Sequence, residues 1–478
     1  MTGSNRPAPA GLAGGGLWPA RLPRPAAPGA PVHHVTAAAP AIAELPPEVS
    51  ADKWPWRGVQ WTLTYVGFLG YIFAMTTYRF PIGDVSIVVA LFGLLLQREP
   101  IRVPGVLKGL LVFLLWSVLG YTMTRYPSLV FAKLNILIKV WLIALVAANA
   151  LRTRAQLRFF LVFWLGCFAL YPVRGALFNY YIYRETLFGR ALWNYIFANP
   201  NDLAAYCILQ LSMALAVHAI EKKGPVQLAS RLGMAVIPFL IVITKSRGAF
   251  LGFAGFLMFV LSGQKRRGRA IGLTVLIAGL VLAIAPQGVL DRVFALKKIE
   301  TTGNVAAADE EGSAEQRYEI WKVARSVIAS NPVSGVGLGA YPAAHAQAAM
   351  TGPFKETARG YRDTHSTYLN VLAETGIIGF VIFIWSYAGS LIGIERLRRR
   401  VKGARPRTAQ VLYALEVGAI GFFIAGLFGS MAYVSFLILH VVLTWCVAEM
   451  VKKELAVAAR SRTAYARFAG GPPLPAPR

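Results

Sequence analysis

The sequence predicts an all-α polytopic membrane protein, and three observations indicate this class. Of the 478 residues, 56% are hydrophobic and 15% are charged, whereas soluble domains average about 45–50% and about 25%. Apolar runs of roughly bilayer-spanning length recur from residue 61 onward. Lys and Arg outnumber Asp and Glu by 27. A basic chain often binds nucleic acid, but an apolar excess of this size requires a membrane explanation first, so we predict no nucleic-acid partner.

Twelve apolar runs have the length, or nearly the length, of a transmembrane helix. A helix needs about 20 residues to cross the hydrocarbon core, and lipid admits only helices or closed barrels because backbone groups there must be satisfied internally. The predicted spans are 61–78, 82–97, 104–122, 128–150, 156–174, 202–220, 231–245, 248–262, 269–286, 366–394, 409–428 and 431–448. The runs 82–97, 231–245 and 248–262 are the shortest of the set.

The distribution of basic residues predicts the orientation of these spans. If the N-terminus is cytoplasmic, the short cytoplasmic connections carry 19 Lys and Arg residues and the short outer connections carry 7. The positive-inside rule therefore favours twelve spans with both termini in the cytoplasm. An error of one span would place strongly basic loops on both faces.

The same pattern divides the chain into five segments. Residues 1–60 are rich in Ala, Pro and Gly without periodicity, which predicts a disordered cytoplasmic tail. Residues 61–286 hold spans one to nine, and residues 366–448 hold spans ten to twelve. Residues 287–365 form one long loop on the outer face, and a loop of this length is usually functional or disordered. Residues 449–478 are predicted to be a basic cytoplasmic tail.

Two of the connections on the predicted outer face have sequence patterns that predict helices. Part of the long loop is predicted to be a helix that ends at Asn331 and Pro332. Its apolar positions recur at helical spacing, at Tyr318, Trp321, Ala324, Val327 and Ile328. The aromatic connection between spans five and six is predicted to contain an amphipathic helix in the head-group region. It ends in a turn at 199–202 that caps span six.

A histidine and a pair of cations mark the outer boundary of the predicted spans. His365 opens span ten, and an imidazole can accept a proton near neutral pH. An interfacial histidine with one wet edge would explain the same position. Lys245 and Arg247 lie in the hinge between spans seven and eight, on the face that the charge bias depletes. A guanidinium can bind phosphate oxygens in bidentate fashion, although an arginine there could also be a snorkelling anchor.

Two further arginines belong to the same face. Arg317 lies four residues before Trp321, so the two share one side of the predicted loop helix. A salt bridge from Arg317 to Glu315 or Glu319 is the structural alternative. Arg190 lies in the connection between spans five and six, where it would face water or phosphate.

Absent motifs narrow the chemistry further. The outer connections contain no Asp-x-Asp pair and no His/Cys cluster with metal-ligand spacing, so no metal site is predicted. The sequence has no G-x-x-x-x-G-K-[ST] loop, which argues against nucleotide hydrolysis. The three cysteines lie in apolar runs, so neither a disulfide framework nor a zinc cluster is indicated.

Four motifs resemble those of the O-antigen ligase and polysaccharide polymerase superfamily of bacterial inner-membrane glycosyltransferases. The motifs are FANPNDLA (197–204), KSRGAFLGF (245–253), QRYEIWKVA followed by NPVSGVGLGAY (316–341), and HSTYLNVLAETGIIGF (365–380). They occur in the family's order around one long outer loop. The resemblance covers roughly residues 60–450.

The resemblance implies a GT-C-like membrane transferase that needs no metal and no cofactor. Such an enzyme moves a glycan from undecaprenyl pyrophosphate to an acceptor hydroxyl at the periplasmic face of the inner membrane, among membrane lipids. His365 matches the family's base, and Arg247 and Arg317 match its pyrophosphate-binding arginines. Arg190 is a looser match, and Lys245 lies beside Arg247.

The acceptor and one alternative class stay open at this stage. A lipid-linked repeat, a lipid A core or a protein hydroxyl could each receive the glycan. A transporter or flippase for lipid-linked glycans is the alternative outside the class. That alternative favours internal repeats and polar residues at the membrane midplane, whereas the candidates in this chain concentrate at one boundary.

Overall fold

The computed structural model describes residues 55–78, 82–263 and 313–468, together with two single glycines, Gly268 and Gly272. Within these ranges the chain is helical and contains no β-sheet. Nearly all of the predicted tail 1–60 and of the predicted ninth span 269–286 lies outside the described residues. The same holds for loop residues 287–312 and for the last ten residues of the chain.

Thirteen helices are named below, all within the described ranges. They are α1 (Leu63–Thr77), α2 (Gly83–Leu96), α3 (Gly105–Met123), α4 (Pro127–Ala150), α5 (Arg154–Tyr183), α6 (Pro200–Ile220), α7 (Pro225–Ile243), α8 (Arg247–Ser262), α9 (Ser313–Ser330), α10 (Tyr341–Thr351), α11 (Thr367–Val401), α12 (Pro406–Ala425) and α13 (Ser435–Phe468).

Eight of these helices are long and apolar enough to cross a membrane, namely α3 to α7 and α11 to α13. Three shorter apolar helices are α1, α2 and α8. Each of the eleven overlaps one predicted span, which confirms the prediction of an all-α polytopic membrane protein. The number of crossings and their direction stay predictions.

The packing order places α6 near the centre of the bundle. It packs against α12, α7, α8 and α5, and most of its side chains are buried. Helices at the periphery of the bundle instead expose apolar side chains, as α2 does with Val88, Phe92 and Leu95. A row of exposed apolar residues would be unfavourable in water but suits contact with lipid tails.

The region after span five differs from its prediction. Helix α5 continues to Tyr183 instead of ending near residue 174, and a separate amphipathic helix is not formed there. Two π-helical turns, Ala169–Val173 and Asn179–Tyr183, interrupt it, and the first contains Pro172. A proline removes one backbone donor, and a π turn accommodates that loss without ending the helix.

Helix α11 is broken at Gly376, which has a left-handed φ of 64° inside the helix. The break interrupts helical hydrogen bonding, and a glycine-rich segment, residues 332–339, satisfies backbone groups around it. Gly335 in this segment also has a left-handed φ, of 69°, and a Cβ there would overlap the backbone at Glu374. The hydrogen bonds join Val336 N to Ala373 O, Gly337 N to Glu374 O, Ile377 N to Pro332 O and Trp116 Nε1 to Thr375 O, all at 2.9 Å.

We predict that Gly376→Ala lowers the free energy of unfolding by more than about 2 kcal/mol, because the left-handed backbone is strained for alanine and the new Cβ would overlap the Val333 carbonyl. Thermal unfolding of the purified protein in detergent measures this. Gly393→Ala is the matched control, since Gly393 lies in the same helix with nothing within 4 Å of its added Cβ. Equal unfolding midpoints for the two variants would contradict the prediction.

Candidate functional site

A cavity of about 910 Å³ lies where α6 and α8 begin and where the chain enters α11. All five residues predicted from the sequence line it, namely Arg190, Lys245, Arg247, Arg317 and His365. They come from four separate segments of the chain. The other lining residues are Leu187, Phe188, Tyr195, Ile196, Ala198, Asn199, Asn201, Asp202 and Gln316.

One amide side chain ties three of these segments together. Asn201 Oδ1, in the first turn of α6, accepts hydrogen bonds from Arg190 Nη2 at 2.6 Å and from Ser246 Oγ at 2.8 Å. Arg190 Nε also donates to the carbonyl of Thr244 at 2.8 Å. Through these two bonds Arg190 links the start of α6 to Thr244, the residue that follows α7.

The hinge between α7 and α8 determines the positions of Lys245 and Arg247. Lys245 adopts a left-handed φ of 51°, which reverses the chain after α7. Ser246 then caps α8, its side chain accepting from Ala249 N. This cap makes Arg247 the first residue of α8. The Ser-Arg-Gly motif is thus a helix start that directs its first residue toward the cavity lining.

His365 is held by the residues on either side of it. Trp321 Nε1 in α9 donates to the Thr364 carbonyl at 2.7 Å, and the Thr364 hydroxyl donates to the Ser366 carbonyl at 2.8 Å. His365 itself has a left-handed φ of 49°, uncommon for a residue with a side chain. Arg317 lies one helical turn before Trp321. The hydrogen bond from Trp321 to Thr364 therefore brings Arg317 and His365 to the same cavity.

The surroundings of His365 favour its neutral form. Burial lowers the pKa of His365 below its ordinary value of 6.5, and the positive charges of Arg317 and Arg362 lower it further. The carboxylate of Asp363 acts in the opposite direction. A neutral imidazole can accept a proton, so the site has the protonation state that a general base needs.

The two glutamates that the sequence offers as partners of Arg317 form ion pairs with lysines. Glu315 pairs with Lys355 at 2.9 Å, and Glu319 pairs with Lys322 at 2.9 Å and with Lys355 at 3.7 Å. A salt bridge from Arg317 stays the structural alternative to a role in ligand binding.

Sequence reasoning missed several polar residues of the cavity. Asn201, Asp202, Tyr195 and Gln316 all line it. The 199–202 motif was interpreted as a turn and helix cap, and Asn199 does cap α6 by accepting from Asn201 N at 2.9 Å. The same motif also supplies cavity groups, and only its place in the family's pattern could have indicated this second role.

The described part of the chain contains no group of three or more His, Cys, Asp or Glu residues that could hold a metal ion. Positive charge in the cavity comes from the four cationic side chains instead. Such a set is suited to an anionic group with several oxygens, and phosphate is the commonest.

The fold and cavity define a multi-pass helical membrane protein with a cationic site and one histidine at the ends of its helices. Residues 232–384, about a third of the chain, match the family model described as O-antigen ligase. This match contains three of the four sequence motifs and supports the O-antigen ligase and polymerase superfamily. It likewise supports a glycosyltransferase of the ligase or polymerase type. A comparison with curated proteins found no match.

We predict that Arg190→Gln destabilises the fold by about 1–3 kcal/mol, because Asn201 and Thr244 lose a charged donor in a partly buried place. Thermal unfolding checks it. Arg184→Gln is the control, since Arg184 is exposed in the same connection and shares none of these bonds. Equal stability of both variants would contradict the role of Arg190 in linking Asn201 to Thr244.

Proposed function

We propose that the protein transfers a glycan from undecaprenyl pyrophosphate to an acceptor hydroxyl at the periplasmic face of the bacterial inner membrane. The observation that carries this proposal is the meeting of His365, Arg247 and Arg317 around one cavity, from segments up to 118 residues apart in sequence. The family match at residues 232–384 supports the reaction class. Both chain termini would lie in the cytoplasm.

In the proposed reaction His365 acts as general base. It takes the proton of the acceptor hydroxyl as that oxygen attacks the anomeric carbon of the lipid-linked sugar. The bond between the anomeric carbon and the phosphate oxygen breaks, and the electron pair leaves with the lipid pyrophosphate. Attack opposite the leaving group inverts the anomeric centre, and the proton on His365 then passes to solvent.

The cations would stabilise the charge that develops on the departing pyrophosphate. Arg247 and Arg317 are assigned to its oxygens, with Arg190 and Lys245 adding positive charge nearby. Preorganised charge of this kind is often the largest catalytic contribution. These four side chains could replace a divalent metal, so we expect transfer to continue in the presence of EDTA.

The proposed acceptor is one of three hydroxyl-bearing partners: a lipid-linked repeat, a lipid A core or a protein.

An assay of the purified protein in liposomes with a lipid-pyrophosphate glycan distinguishes the transferase from a flippase. A new glycosidic product supports the proposal, whereas movement of the lipid across the bilayer without product would overturn it.

We predict that Arg317→Gln slows glycan transfer by about 10²–10³-fold, because one donor to the leaving group is lost. Arg247→Gln should behave similarly. Initial rates in liposomes measure this. Arg325→Gln is the matched control, since Arg325 is an exposed arginine of the same helix, α9, outside the cavity lining. Equal loss in Arg317→Gln and Arg325→Gln would indicate a general effect of charge and contradict the assignment.

The pH dependence tests His365. Its pKa is lowered below 6.5, so the imidazole is neutral and active at pH 7 and becomes protonated as the pH falls through that pKa. We expect the transfer rate to be level near neutrality and to fall about tenfold per pH unit below the pKa. His365→Ala should reduce transfer by about 10²–10⁴-fold and abolish this acid limb. An acid limb retained in His365→Ala would assign the base to another group.

A further inference from the structure

A second cavity lies at the other end of α6 from the candidate site. Asn201 and Asp202, in the first turn of α6, line the large cavity, whereas Ile220, its last residue, lines this one. The 21 residues of α6 separate the two ends by about 30 Å. Helices α5, α6, α12 and α13 enclose a space of about 90 Å³.

The lining of this second cavity changes along the helices. Arg154 and Arg158 in the first turns of α5, and Arg407 in the first turn of α12, supply its cationic part. One turn further along α12, Val411 is apolar, and Met450 of α13 joins it. The cavity therefore combines charged helix ends with an apolar wall.

Positive charge at this end exceeds the carboxylates that face it. Arg154 binds Glu454 through two hydrogen bonds of 2.7 and 2.6 Å. Arg158 binds Glu221 through two bonds of 2.6 and 3.1 Å. Arg407 has no ion pair within the described part of the chain, so its charge is not compensated there.

Arg405 adds a buried cation next to this cavity. It is 3% exposed, and its Nε and Nη2 atoms have no hydrogen-bond partner among the described residues. The carboxylate oxygen Glu454 Oε2 lies 3.9 Å from Nη2 and is already bound by Arg154. A buried guanidinium with two nitrogens that lack hydrogen bonds is unfavourable, and additional negative charge nearby would stabilise it.

The start of α12 favours an anion at the same place. Arg405 is the N-cap residue of α12, and its side chain provides no cap. Helix N-termini carry partial positive charge and attract phosphate groups. Three guanidinium groups and an uncapped helix start therefore lie where the apolar wall begins, and Arg405 adds a fourth buried positive charge behind them through its approach to Glu454.

We propose that this cavity binds an anionic phospholipid, with its phosphate against Arg407 and the start of α12 and part of an acyl chain along Val411 and Met450. Charge complementarity favours an anionic lipid, because a zwitterionic head group brings its own cation. A free phosphate would satisfy the arginines but leave the apolar wall empty. Basic pockets between membrane helices are suited to such head groups.

The test is a lipid titration of the full-length protein in neutral detergent, followed by thermal unfolding. Phosphatidylglycerol should raise the unfolding midpoint, since a ligand that binds only the folded state stabilises it. Arg407→Gln should weaken the apparent affinity about tenfold, and Arg407→Lys should retain most of it. Arg400→Gln is the control, because it removes an exposed arginine from the last turn of α11, close in sequence to Arg407, and leaves the cavity lining intact.

Three outcomes would overturn the proposal. Stabilisation by phosphatidylcholine equal to that by phosphatidylglycerol would mean that the negative head group is not recognised. The same stabilisation by inorganic phosphate alone would assign the site to a free anion. Equal affinities of Arg407→Gln and Arg400→Gln for phosphatidylglycerol would place lipid binding elsewhere.

Discussion

The break in α11 at Gly376 is the constraint on which the arrangement around the large cavity depends. A membrane-spanning helix has no water to satisfy interrupted backbone groups, so protein groups must do so. The glycine-rich segment supplies them through Val336 and Gly337, which donate to carbonyls of α11. This pairing fixes the segment that follows α9 against α11. The orientation of Trp321 and Thr364, and through them the place of His365, depends on that attachment.

The same principle of neutral hydrogen bonding organises the cavity. Arg190 is held by an amide and a carbonyl, and Ser246 shares the Asn201 oxygen. Four cationic side chains around one space repel each other. An anionic ligand that enters the cavity would relieve this repulsion, which is a reason for such a ligand to bind there.

Much of this arrangement could be predicted from the sequence, and the rest depends on tertiary contacts. Of the twelve spans predicted from apolar runs, eleven overlap described helices, and His365 and Arg247, which the charge bias predicts on one face, line one cavity. The break at Gly376 could not be predicted, because the apolar pattern continues through it and glycine is common in membrane helices. Asp202 was missed because a helix-cap motif already explained its segment. The end of α5 was wrong because the predicted span stops at residue 174, whereas the helix continues to Tyr183 through two π turns.

The arginines at the two ends of α6 differ in their partners, and counting charges along the sequence cannot reveal this. At the end where α6 stops, Arg154 and Arg158 each meet a glutamate in bidentate geometry. At the end where α6 begins, Arg190 donates to the amide oxygen of Asn201 and to the carbonyl of Thr244, and so links the start of α6 to the end of α7. A bidentate carboxylate partner holds an arginine in a fixed place within the scaffold. The positive-inside rule gives these three arginines the same weight, so the placement of a cation beside a cavity depends on tertiary contacts that a count of charges does not include.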